Sequence, residues 1–96
     1  MKTVGELTGW TWEELEPTWR HHMPFSFAAE QPMVGFIRQG NFTICEVSFA
    51  PDLRAFGVAK RNPKLDRRNI PKVACKASFG RACKALAHDL AEHKVV

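Results

Sequence analysis

A chain of 96 residues, 45% hydrophobic and 25% charged, is sized for one globular domain near the lower limit for a self-sufficient core, which excludes a disordered polymer. Its apolar runs at 25–29 and 33–37 are too short to cross a bilayer, and its opening residues lack the apolar stretch of an export signal. Three cysteines (Cys45, Cys75 and Cys83) without Cys-x-x-Cys spacing argue against a disulfide framework, so a reducing bacterial cytoplasm is the expected setting.

Residues 1–24 form a tryptophan-rich, acidic segment. Thr11-Trp12-Glu13-Glu14 has the pattern of a capping box, and Trp12, Leu15 and Trp19 then recur on one face of a 3.6-residue period. Pro17 should kink or break this helix near Glu16, and Pro24 should end it. The sheet is expected over 25–60. Phe25-Ser26-Phe27 alternates as a short strand would. Strands at 33–38 and 42–49 should form a hairpin through Gln39-Gly40-Asn41, with Gly40 supplying a positive φ.

Thr43, Cys45, Val47 and Phe49 share one face of the second strand. Phe42 and Ile44 spoil the alternation from the other face, which suggests a bulge. A turn at 50–52 leads to a third strand at 53–60, where Gly57 should mark the close approach of another backbone. A basic loop follows at 61–70. Pro71 then suits a helix entry, and a final helix is expected over 72–93 within a segment spanning 71–94. Cys75, Phe79, Ala82, Cys83, Leu86 and Leu90 form its apolar stripe. The predicted fold is α+β in the order α-β-β-β-α, one domain over 1–96. A three-stranded antiparallel sheet is backed by a long C-terminal helix and a short N-terminal one.

The net charge of +4 conceals a division. Residues 1–53 hold three cations against seven carboxylates, whereas residues 54–84 hold ten cations against Asp66 alone. Such a segment attracts polyanions or acidic protein faces through its summed field. The candidate binding residues are Lys60, Arg61, Lys64, Arg67, Arg68, Lys72 and Lys76. Cations crowded at a helix N-terminus oppose the macrodipole, so an anion is expected there. Trp10, Trp12 and Trp19 are candidates for a protein interface, although core packing is the favoured use in so small a domain, with one of the three left for contact.

Cys75, Cys83, His88 and His93 are poorly spaced for zinc, since His88 and His93 point well apart on a helix. His21 and His22 have no nucleophile or carboxylate pair placed with them. With no phosphate-binding glycine loop and no nucleophile elbow, neither enzymatic activity nor a cofactor or metal is expected.

Phe56-Gly57-Val58-Ala59-Lys60-Arg61-Asn62-Pro63, Ile70-Pro71-Lys72-Val73-Ala74 and Gly80-Arg81-Ala82 with Leu86-Ala87 and Leu90 resemble an uncharacterised family of small actinobacterial and phage domains. The family's fold is of the double-stranded-RNA-binding-domain type. The resemblance covers about a third of the chain and implies a three-stranded sheet backed by helices, with no established activity. Lys72 and Lys76 match the phosphate-gripping lysines of true duplex-RNA binders. Gln39-Gly40-Asn41 offers no counterpart to their minor-groove histidine.

The leading expectation is a small non-enzymatic phage or bacterial protein whose basic face engages nucleic acid or a nucleoprotein complex. Its alternatives are a protein-binding inhibitor or adaptor, such as a phage factor that blocks a host nuclease or a CRISPR-Cas defence complex, and a structural homo-oligomer. No membrane partner is expected.

Overall fold

The computed structural model describes residues 10–50, 53–66 and 71–93. Helix α1 (Trp12–His22) and a single turn, α2 (Phe25–Ala28), precede strands β1 (Met33–Gln39), β2 (Phe42–Ala50) and β3 (Leu53–Lys60). Helix α3 (Lys72–His93) closes the chain. The strands form an open antiparallel sheet in the order β1-β2-β3, so the α-β-β-β-α order is borne out. Among the described residues, no helix is long and apolar enough to cross a membrane.

Each element begins where local chemistry favours it. Both halves of the Thr11–Glu14 capping box are made at the start of α1. The expected break at Pro17 does not occur, and α1 runs on to His22 because Leu15 and Trp19, on either side of the proline, are anchored in the core. Met23, just before Pro24, is extended at φ −86°, ψ 143°, which ends the helix. The strand expected at Phe25-Ser26-Phe27 is instead the turn α2. The Pro24 carbonyl accepts from the N–H groups of Phe27 and Ala28 at 2.9 and 3.0 Å, and Phe27 lies 5.4 Å from the Phe49 ring.

Gln39 pairs with Phe42, leaving a two-residue turn with Gly40 at φ 60°. Asn41 keeps a negative φ, the pattern of a type II′ turn. The register slips between Ser48 and Ala50, so the expected bulge falls at the far end of β2 rather than beside Phe42. Of the expected turn at 50–52, residues 51 and 52 lie outside the described residues.

The inner side of β3 is made of small side chains. On β3, Ala55, Gly57 and Ala59 all point under α3. A Cβ on Gly57 would run into the Ser78 carbonyl oxygen and the Ala82 amide nitrogen, and would stand 2.9 Å from the Arg81 Cβ. The close approach read from Gly57 is therefore present, and it is backbone against backbone. Leu15, Trp19, Val47, Phe79, Cys83 and Leu86 fill the remainder of the core, and all of them are fully buried.

Candidate functional site

Hydrogen bonds draw the β3 end, the basic loop and the start of α3 to one end of the molecule. The Arg61 N–H donates to the Asn41 carbonyl at 2.6 Å, fastening the loop to the hairpin tip. Asp66 is buried despite its charge. Its carboxylate accepts from the N–H groups of Asn62 at 3.0 Å, Val73 at 2.5 Å and Ala74 at 3.2 Å. Pro71 precedes α3 and offers no side-chain acceptor, so Asp66 does the work of an N-cap from outside the helix. The anion expected at this N-terminus is thus supplied by the chain itself, and two of the helix's first N–H groups are already engaged.

The segments that this anchor joins carry Lys60 and Arg61 at the end of β3, Lys64 in the loop, and Lys72 and Lys76 in the first turns of α3. None of the five has a carboxylate partner among the described residues. Glu16 pairs with Arg20 at 3.3 Å and Glu14 is held in its capping box, so neither neutralises them. Arg67 and Arg68 lie outside the described residues.

Trp10 belongs to the same end. Its indole N–H donates to the Lys72 carbonyl at 2.8 Å, while the ammonium groups of Lys72 and Lys76 lie 4.4 and 4.6 Å from its ring centroid. One aromatic ring thus holds two cations one helical turn apart and offsets part of their repulsion.

The other tryptophans are used differently. Trp19 is fully buried and donates to the Phe27 carbonyl at 3.2 Å, so the favoured core use holds for it and its candidacy for an interface is corrected. Trp12 is half-buried, edge-on to Phe79 at 6.3 Å and tilted against Trp19 at 6.4 Å. The small helix needs both rings to fill the space above α3.

The cysteines are core groups. Burial pushes the Cys75 thiol up to about 11 and the Cys83 thiol up to about 12, and raises Cys45 further. Such thiols are poor nucleophiles and poor metal ligands at neutral pH. The rings of His21 and His22 sit with centroids 5.1 Å apart. Burial, then His21 and Lys84, lowers the His22 pKa. His22 lines an apolar cleft of about 590 Å³ with Met23, Phe27 and Leu90, at the end of the molecule away from the basic loop.

The outer face of the sheet is where sequence reasoning saw only irregularity. Phe42 and Ile44 did not spoil a pattern; they belong to a second apolar face. Across the strands Ile37, Ile44 and Val58 stand in one row, flanked by Phe56 in the row before and Phe42 in the row after. Met33 is 65% exposed, Ile37 57% and Phe56 52%. The signal was available: Ile37, Phe42, Ile44, Phe56 and Val58 all take the opposite parity to the buried residues of their strands.

No protein-family model, curated protein or solved structure matches the chain.

Proposed function

We propose that this chain is a small non-enzymatic binding protein that engages nucleic acid, alone or within a nucleoprotein complex, through its basic end. The observation behind this reading is that Asp66 ties the loop carrying Arg61 and Lys64 to the first turn of α3, whose Lys72 and Lys76 share the Trp10 ring, while neither these cations nor Lys60 has a carboxylate partner among the described residues. The lysines on Trp10 are held ready for phosphate oxygens, so little side-chain order has to be gained on binding. Asp66 occupies two of the helix N–H groups, so phosphate contact falls to the side chains. The resemblance to small actinobacterial and phage domains supports a bacterial cytoplasm as the setting.

Fluorescence anisotropy with labelled single- and double-stranded oligonucleotides tests the proposal. Affinity should fall steeply with salt, by a log–log slope of roughly 0.7–0.9 per phosphate neutralised. Reversing Lys72 and Lys76 to Glu should reduce both the affinity and that slope. Absence of binding at low salt overturns the proposal.

A second reading has the same cations dock on an acidic protein, as an inhibitor or adaptor would, for example against a host nuclease or defence complex. The engaged N–H groups of α3 favour it, because they leave less for a phosphate to bind. Capture of a partner that survives nuclease treatment and is lost in the Lys72→Glu/Lys76→Glu variant would favour it over the first.

A further inference from the structure

The outer sheet face meets the basic end only at Lys60, in its last row, and its composition is that of an interface. Three strands of seven to nine residues make a face of roughly 14 by 25 Å at standard strand spacing and rise. Large apolar side chains reach solvent across it, and monomeric proteins seldom expose so continuous a patch without use. The charges on this face do not recruit a polyanion. Glu46 and Arg54 pair with one another at 3.8 Å, and Lys60 stands in the last row.

The relief of the face is self-complementary. Gly35 leaves a hollow of about 210 Å³, bordered by Met33, Glu46 and Ser48, and nothing lies within 4 Å of where its Cβ would be. Two residues along the same strand Ile37 protrudes, more than half exposed. A two-fold axis crossing the strands between these rows seats Ile37 of each copy over Gly35 of the other, and lays Phe56 over Val58. Knob and hollow on one strand, one step apart, are what an isologous contact requires. The same axis sends the two basic ends to opposite poles, and it sets Arg54 of each copy opposite Lys60 of the other, a repulsion that added salt screens.

We infer that a second copy of this chain covers the outer sheet face, forming a two-fold dimer in which the sheets stack about 10 Å apart. The footprint is roughly 350 Å² in plan, below the ~800 Å² per partner of a standard interface, so the dimer is weak. It dissociates in the micromolar range or above, and added salt does not weaken it.

Sedimentation equilibrium of the full chain from about 10 μM to about 1 mM, at low and high salt, tests this. The mass should rise from 10.9 kDa toward twice that value at both salts. Ile37→Glu should remain monomeric throughout, and Phe56→Ser should weaken association; circular dichroism checks that both variants fold. Gly35→Leu adds apolar surface where the fold leaves room, yet should weaken the dimer about tenfold or more by filling the hollow. A wild-type monomer at every concentration overturns the inference. So does association that Ile37→Glu leaves intact, that Gly35→Leu strengthens, or that high salt abolishes. If Ile37→Glu weakens oligonucleotide binding while the wild type stays monomeric, the face belongs to nucleic acid. Failure of nucleic-acid binding at the basic end would leave the dimer untouched, so the two ideas fail separately.

Discussion

The two faces of β3 invert the usual distribution of size. Inward stand Ala55, Gly57 and Ala59; outward stand Phe56 and Val58. β3 turns small residues inward because α3 lies directly on it, with backbone meeting backbone at Gly57. The core volume comes instead from the helices, through Trp19, Leu15, Phe79 and Leu86, and from Val47, Phe36 and Phe49 on the other two strands. Large side chains left on the outer face are not needed for the fold. A face built for packing tolerates almost no change, whereas one built for contact tolerates much.

That contrast breaks most sharply at Gly57. Gly57→Ala should destabilise the domain by about 3 kcal/mol or more, because the added methyl meets backbone atoms that cannot turn aside. Urea denaturation measures it, and a loss below about 1 kcal/mol would mean that α3 lifts easily from β3. Asp66→Ala should come next, costing about 2 kcal/mol as three N–H groups lose their acceptor. Amide exchange at Val73 and Ala74 should rise with it.

A smaller effect is expected from acidification. The folded-state pKa of His22 lies below its ordinary value, so the unfolded chain binds its proton first. Its contribution to stability is fully present above the ordinary value and is lost as pH falls through the lowered one. His22→Gln should flatten the pH dependence of the melting temperature in that window. The smallest change belongs to the outer face: Phe56→Ser should leave monomer stability within about 0.5 kcal/mol, as surface substitutions do. A large loss there would show that the outer face also supports the fold.

Local chemistry made much of the fold legible. The Thr11–Glu14 box, the glycine of the hairpin turn, the stripe of α3 and the meaning of Gly57 all follow from residue types at short spacing, and all are present. Phe25-Ser26-Phe27 misled because three alternating residues after a proline fit a turn as well as a strand. Packing of Phe27 on Phe49 decides between them.

Asp66 was visible only as the lone acid in a basic segment. Its role depends on Val73 and Ala74 folding back to within hydrogen-bond reach, a tertiary event with no short-range signature. Trp10 and Trp19 are the same residue type nine positions apart, and only the path of α1 along α3 separates the lysine platform from the core.

Nuclear magnetic resonance titration of the labelled chain with a short oligonucleotide at low salt tests the central proposal most directly. Amide shifts should cluster at 60–66 and 72–76, together with the Trp10 indole N–H, and should reverse when salt is added. Shifts confined to the outer sheet face or to the His22 cleft, or no shifts at all, would contradict it.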